Sequence, residues 1–148
     1  MTYERLLVPV DGSDLTDRAI EASLGLARQL GAAVVAYVAE PLLPLPTSLA
    51  NKSDLDRALQ AHEVETEAHA RPLLERFAAA AAGAGVAFEG VFEQAPDIDR
   101  AIAAAAERLR CDMIVMVTHG RGTFGELLFG SHTKAVLSAT RIPVLVLH

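Results

Sequence analysis

The stretch MIVMVTHGRGTFGELLFGSHT, Met113 to Thr133, contains the elements from which the fold can be predicted. Met113–Val117 is an apolar run typical of a buried strand, Thr118–Gly122 is a glycine-rich turn, and a helical pattern begins at Gly130-Ser131. A strand, a loop and a helix N-terminus in this order often hold a phosphate, because unpaired backbone N–H groups and the helix dipole attract an anion. The stretch therefore predicts a nucleotide or another phosphate ligand.

The rest of the chain alternates between strand and helix patterns. Strands are predicted at Arg5–Val10, Ala33–Val38, Val86–Gln94, Met113–Thr118 and Pro143–Leu147. Helices are predicted from about Thr16 to Leu30, from Ser53 or Asp54 to about Ala82, from Pro96 onward, and from Ser131 to about Ser138. Pro72 predicts a kink or two abutting helices within the second of these. The alternation predicts one α/β domain over residues 1–148, an open doubly wound parallel sheet with helices on both faces.

The composition narrows the classes of function. The net charge of −6, with no cluster of Lys and Arg, works against nucleic acid as a partner. No apolar run reaches the roughly 18 residues of a membrane span, and the first residues do not resemble a signal peptide. The single cysteine, Cys111, fits a reducing compartment and is expected to be an inert, partly buried thiol. We therefore expect a cytoplasmic protein without a membrane partner.

The last strand predicts how two copies of the chain would meet. Val144–His148 (VLVLH) is apolar and carries no charged residue that would discourage pairing at an exposed sheet edge. Pairing with a second copy by two-fold symmetry is the simplest closed arrangement, so we predict a homodimer through this strand. The alternative is an edge covered by the chain's own loop.

Several candidate residues lie in loops where the carboxyl ends of the strands meet. Asp11, directly after the first strand, is predicted either to accept hydrogen bonds from a ligand or to cap the following helix together with Ser13 or Asp14. The proline loop Pro41–Pro46 either covers a pocket or packs on a neighbouring helix. His62 and His69 are seven residues apart on one helix, a spacing that favours solvent-facing side chains over a metal site. No metal site is predicted.

The whole chain resembles a universal stress protein of the UspA type. The residues that carry the resemblance are Val8-Pro9-Val10-Asp11-Gly12-Ser13, Val34–Val38, Gly120 followed after nine residues by Gly130-Ser131, and Ile142–Val146. The resemblance implies a Rossmann-like sheet of the adenine nucleotide alpha hydrolase type with strand order 3-2-1-4-5. It also implies ATP or AMP as the ligand, with any Mg²⁺ held mainly by the phosphates.

The resemblance also assigns residues to the parts of the ligand. Asp11 and Val38 correspond to the adenine and ribose end, and the phosphates would be surrounded by Gly120, Gly130, Ser131, His132 and Thr133. The other predicted nucleotide contacts are Pro9, Val10, Met116, Val117, His119 and Arg121, and His119 is predicted either to contact a phosphate or to shape the loop. The motif of the nucleotide-binding branch is Gly-x-x-Gly-x9-Gly-Ser/Thr. In this sequence Val117 occupies the position of the first glycine of the motif. A valine adds bulk there and disfavours unusual backbone angles.

These patterns leave three functions open. The first is a nucleotide-binding homodimer of the stress response with at most slow ATP hydrolysis, since His119 is the only candidate general base in the sequence. The second is a stress protein that does not bind nucleotide and acts through protein partners. The third, an enzyme of phosphate chemistry, lacks the P-loop lysine motif. The sequence favours the first.

Overall fold

The computed structural model describes residues 2–44, 51–118 and 131–148, which form an alternating series of strands and helices. In chain order the elements are β1 (Arg5–Pro9), α1 (Thr16–Leu30), β2 (Ala33–Pro41), α2 (Lys52–Ala84), β3 (Phe88–Ala95), α3 (Ile98–Arg108), β4 (Met113–Val117), α4 (Ser131–Ala139) and β5 (Val144–Leu147).

The strands form one parallel sheet in the order β3-β2-β1-β4-β5. The predicted α/β fold and its strand order are therefore confirmed. The order reverses between β1 and β4, and open parallel sheets bind ligands beyond the carboxyl ends of the strands at such a reversal.

The sheet is buried on both faces, as parallel sheets with crossover helices require. One face forms a core with α1 and α2 around Leu6, Val8, Val34 and Phe77. The other forms a core with α3 and α4 around Leu7, Val35, Ile114 and Val136. Successive strand residues alternate between these two cores, because side chains along a strand point to opposite faces.

Helix α1 matches its sequence prediction at both ends. Its apolar stripe Ala19, Ile20, Leu24 and Ala27 is buried. Gly31 ends the helix in the left-handed region, at φ 68°, and donates its backbone N–H to the Ala27 carbonyl. The local pattern was therefore sufficient to define this element.

Helix α2 differs from its prediction. It begins at Lys52, with Asn51 accepting a hydrogen bond from the Asp54 N–H, and it continues through Pro72 as one helix. The prediction of two abutting helices at Pro72 is therefore wrong. Residues on both sides of the proline are buried, among them Thr66, Ala70, Phe77 and Ala81. Packing along this face offsets the lost hydrogen bond of the proline.

Two other boundaries also differ from their predictions. Helix α3 begins at Ile98 rather than Pro96, because the Asp97 side chain accepts from the Arg100 N–H and caps the helix. Strand β2 continues beyond Val38 to Pro41, since its pairing with β3 extends to Glu40 opposite Gln94 and Pro41 opposite Ala95. The extension carries Glu40 past the carboxyl end of β1.

Candidate functional site

The carboxyl ends of β1, β2 and β4 bring together five of the predicted site residues. Pro9 ends β1 beside Tyr37 of β2, and the Val10 N–H donates to the Tyr37 carbonyl over 2.9 Å. Val38 is fully buried in the core beneath α1 and α2. Met116 and Val117 end β4 and pack against opposite cores. These apolar residues form the floor at the reversal of strand order.

Val117 lies inside β4, paired in register with Leu147. Among the described non-glycine residues, only Arg110 has a positive φ, so Val117 does not adopt a left-handed conformation. The expected backbone conflict of a valine at this position is therefore not present.

The turn after β1 is closed by its own polar residues. Asp11 Oδ1 accepts a hydrogen bond from the Ser13 N–H over 2.9 Å, and Ser13 Oγ accepts from the Leu15 N–H over 3.3 Å. Leu15 occupies the N-cap of α1 without a side-chain cap hydrogen bond. The interpretation of Asp11 as a cap of this helix is therefore wrong. Its carboxylate is exposed at the end of β1, where a ligand could reach it.

Helix α2 covers this turn with His69. Gly12 lies between Asp11 and Ser13 at φ 81°, and a Cβ placed on it would lie 3.1 Å from His69 Nε2 and 3.4 Å from Leu73 Cδ1. A side chain at position 12 would therefore be strained by the backbone and would also displace the imidazole.

A carboxylate fixes the same imidazole on its other side. His69 Nδ1 lies 2.5 Å from Glu40 Oε1, and the Glu40 side chain is only 18% exposed. The His69 side chain is 52% exposed, so the prediction that it faces solvent is correct, although that prediction did not include the contact with Glu40. Its ring connects α2 to the ends of β1 and β2.

Two more contacts attach α2 to this end of the sheet. His62 Nε2 lies 2.8 Å from the Pro41 carbonyl oxygen at the end of β2. Gln94 of β3 donates to the Thr66 hydroxyl over 3.0 Å, and that hydroxyl donates to the His62 carbonyl. His62, Thr66 and His69 thus form one polar face of α2 directed at the strand ends.

The opposite face of the sheet carries a second histidine–carboxylate pair. His132, the second residue of α4, places Nδ1 at 2.9 and 3.1 Å from the two carboxylate oxygens of Asp99 at the start of α3. Ser131 is exposed and Thr133 is buried. Of these three predicted phosphate contacts, His132 is therefore paired with Asp99 of α3, and Ser131 is exposed at the helix N-terminus.

Two hydroxyl groups complete the polar residues at this end. Thr118 Oγ1, just after β4, lies 3.3 Å from His148 Nδ1. Thr16 Oγ1, at the start of α1, is buried and has no hydrogen-bond partner within the described part of the chain. A buried hydroxyl without a partner is costly, so Thr16 has an unused donor and acceptor beside the β1 turn.

Four predicted site residues, His119, Gly120, Arg121 and Gly130, lie outside the described residues. The predicted loop Pro41–Pro46 is described only as far as Pro44; Pro41 belongs to β2, and Leu42 is 47% exposed.

The described residues also bear on metal binding and membrane insertion. Across residues 2–44, 51–118 and 131–148, no group of three or more His, Cys, Asp and Glu side chains could hold a metal ion. Within the same ranges, no helix is both long enough and apolar enough to cross a membrane.

Cys111 is buried at the opposite, amino end of the sheet. Burial raises the pKa of its thiol to about 11, although the nearby Arg5 acts in the opposite direction. The prediction of an inert thiol is consistent with this placement, since the thiolate is the reactive form.

A groove of about 510 Å³ lies beside β5, between Leu145 and Leu147 of that strand and Arg18, Glu21, Gly25 and Gln29 of α1. None of the predicted nucleotide-site residues lines it. It is therefore a feature of the sheet edge and not of the site at the strand ends.

The sequence interpretation missed Glu40, Asp99 and Thr66 as members of the polar end of the sheet. Glu40 and His69 are 29 residues apart and Asp99 and His132 are 33 apart, so neither pair has a local pattern. The only sequence signal is that both acids fall at the carboxyl end of a strand or the start of the next helix.

The sheet topology and the polar strand ends define the class: a doubly wound α/β protein whose candidate ligand site lies at the reversal of strand order. The universal stress protein family matches residues 2–148, and the chain belongs to that family.

Individual relatives agree with this assignment. A universal stress protein of Methanocaldococcus jannaschii is 27% identical over 147 residues, which cover 97% of this chain and 81% of the relative. The crystal structure of a family protein from Burkholderia pseudomallei has 26% identity and a TM-score of 0.71, covering 98% of this chain and 96% of the other.

Another similar structure, the universal stress protein of Archaeoglobus fulgidus in complex with dAMP, has 20% identity and a TM-score of 0.64, and each chain is covered completely. A further universal stress protein, in complex with cAMP, has 21% identity and a TM-score of 0.68 over 100% of this chain and 98% of that one. At these identities the likeness establishes the fold.

Proposed function

We propose that this chain is a stress-response protein that binds an adenine nucleotide, ATP or AMP, at the carboxyl end of its sheet. The observation that carries the proposal is the gathering of polar groups at that end, above an apolar floor. Asp11 and Ser131 are exposed there, and within the described residues the buried hydroxyl of Thr16 has no hydrogen-bond partner. Complexes of two universal stress proteins with dAMP and cAMP support the choice of an adenine nucleotide.

The ends of the nucleotide are assigned by electrostatics. The N-terminus of α4 begins at Ser131, and a helix start attracts phosphate through its free N–H groups and its dipole. The apolar floor and the turn after β1 suit the base and sugar, because Gly12 lets the backbone pass close beneath α2. The nucleotide would then lie across the strand ends, from β4 to β2.

A divalent cation would enter with the ligand. Because the described residues offer no three-residue metal cluster, Mg²⁺ would be held mainly by the nucleotide's phosphates. Among the described residues, Ser131 and the helix N–H groups would contact the phosphates, and they orient phosphates without serving as a general base.

We also propose that the protein is a homodimer through β5. This strand lies at the edge of the sheet, and its residues Val144, Leu145, Val146 and Leu147 are all only partly buried. An apolar edge strand with free backbone groups is completed most simply by its own copy. A molar mass equal to that of a single chain at every concentration of a hundredfold dilution series would contradict the homodimer.

Calorimetric titration of ATP and AMP, each with and without Mg²⁺, tests the nucleotide proposal. A saturable heat with one nucleotide per chain is expected, together with a rise of the melting temperature that grows with nucleotide concentration. If about millimolar nucleotide gave no heat and no shift of the melting temperature, action through protein partners would be favoured instead.

A further inference from the structure

The His69 imidazole on α2 has one nitrogen fixed by a half-buried acid and the other beside the turn that begins the candidate site. Nδ1 lies 2.5 Å from Glu40 Oε1, and Nε2 is the atom nearest to a Cβ placed on Gly12, at 3.1 Å. His69 therefore occupies the border between α2 and the end of β1, next to Asp11.

Glu40 determines which nitrogen of His69 carries the proton. An ionised carboxylate only accepts hydrogen bonds, so Nδ1 must donate to it. In a neutral imidazole the other nitrogen is then an acceptor. His62 lies on the same helix and differs from His69, because its Nε2 already faces the Pro41 carbonyl oxygen, itself an acceptor.

The strand order places this acceptor at one end of the ligand site. Strands β4 and β2 are separated by β1, and neighbouring strands lie about 4.8 Å apart, so the ends of β4 and β2 are about 10 Å apart across the sheet. A nucleotide whose phosphate lies at α4 extends its base over β1 toward β2. Glu40 and His69 lie there.

We propose that His69 is a specificity-determining residue, whose Nε2 accepts a hydrogen bond from the 6-amino group of an adenine. This inference rests on the proposed nucleotide site and deepens it. Glu40 is a positioning residue that acts through the imidazole. A 6-oxo purine would present an acceptor to the same acceptor nitrogen, so the protein would discriminate against it.

The chemistry predicts the size of the discrimination. Replacing the adenine by a 6-oxo purine exchanges a neutral hydrogen bond for two acceptors that face each other without a donor. This exchange corresponds to about a tenfold difference in affinity. AMP and IMP differ at the 6-position of the ring and at the adjacent nitrogen, so the ratio of their dissociation constants reports this contact. General loss of stability lowers both affinities together and leaves the ratio unchanged.

The test is calorimetric titration of the full chain and three variants with AMP and with IMP. The unsubstituted chain should bind AMP about tenfold more tightly than IMP. His69→Phe should bring the ratio close to one, chiefly by weakening AMP. Glu40→Gln should reduce the ratio partly, because an amide can donate or accept and no longer fixes the proton on Nδ1. His62→Phe, the matched control, should keep the original ratio.

Three outcomes oppose the inference, and they separate it from the function on which it rests. Binding of AMP with the same AMP-to-IMP ratio in the unsubstituted chain, His69→Phe and Glu40→Gln overturns the role of His69 but leaves the nucleotide site in place. Equal affinity for AMP and IMP in the unsubstituted chain does the same. Failure of both nucleotides to bind the unsubstituted chain overturns the nucleotide site and this inference together.

Discussion

The two ends of the parallel sheet use their charged residues differently. At the amino end, the Asp112 carboxylate accepts from the backbone N–H groups of Glu4 and Arg5 over 2.8 and 3.1 Å. The Arg5 side chain donates to the Leu109 carbonyl over 2.9 Å and pairs with Glu89. Each of these contacts joins segments that are distant in the sequence, and the thiol of Cys111 is buried at the same end.

At the carboxyl end, two of the acids pair with histidines. Glu40 holds His69, and Asp99 holds His132, each through Nδ1. An imidazole held at one nitrogen keeps its second nitrogen for another partner, whereas the Asp112 carboxylate uses both oxygens internally. The contacts at the amino end therefore join segments of the fold, whereas those at the carboxyl end leave an imidazole nitrogen of His69 that the proposed nucleotide would use. The following predictions test that difference.

The largest expected effect concerns the thiol at the closed end. Burial raises the pKa of Cys111 from 9.0 to about 11, so at pH 8 the folded protein holds about a hundredfold less thiolate than an unfolded chain. We expect a thiol-specific reagent at pH 8 to modify the folded protein at least about a hundredfold more slowly than protein in urea. The rate should rise as the pH approaches 11. Comparable rates in the folded and unfolded protein would mean that this end is open.

Removal of the Asp112 carboxylate should produce the next largest effect. Asp112→Ala deprives two backbone N–H groups at the start of β1 of their charged acceptor, and we expect a loss of about 2 kcal/mol in the free energy of unfolding. Urea denaturation measures it. The exposed Asp56→Ala on α2 is the control and should change stability by less than about 0.5 kcal/mol. A similarly small change for Asp112→Ala would contradict a stabilising role for the amino end.

A side chain at Gly12 should perturb the carboxyl end. Gly12→Ala faces both a positive φ and the imidazole of His69, so a loss of about 1–2 kcal/mol in unfolding free energy is expected. Gly31→Ala shares the positive φ but has no atom within 4 Å of the new Cβ, which isolates the backbone strain. The excess cost at Gly12 should disappear in a His69→Ala background. If the two glycine variants cost the same in both backgrounds, His69 does not cover the turn.

The smallest expected effect is at the end of β4. Val117→Gly removes side-chain volume beside the proposed phosphates, and we expect nucleotide affinity to rise a few-fold, within the range of a single methyl-sized contact. Because Val117 packs on the core, the same variant should lose about 1 kcal/mol of stability. Calorimetry and urea denaturation give the two values separately. Unchanged or weaker nucleotide binding would show that the valine does not restrict the site.

The elements that could be predicted from the sequence are those with a local cause. The stripe and terminal glycine of α1 define that helix, and the apolar run Met113–Val117 coincides with β4. For α2 the sequence left a kinked helix and two abutting helices open, and contacts of its buried face with other elements outweigh the local effect of Pro72.

The polar pairs of the site could not be predicted for a related reason. His69 meets Glu40 only because β2 continues three residues past Val38, and that extension depends on pairing with β3. His132 was expected at the phosphates from the motif alone, while its contact with Asp99 depends on how α3 and α4 pack. Motifs locate the end of the sheet, but contacts between distant segments decide which side chains meet there.

Mapping of amide chemical shifts during a titration with AMP tests the central claim most directly, since it compares both ends of the sheet in one experiment. We predict saturable shifts at Asp11, Gly12, Val38, Glu40 and Ser131, with the amides of Arg5 and Asp112 unchanged. Shifts confined to the amino end, or no shifts at about millimolar AMP, would contradict a nucleotide site at the carboxyl end of the sheet.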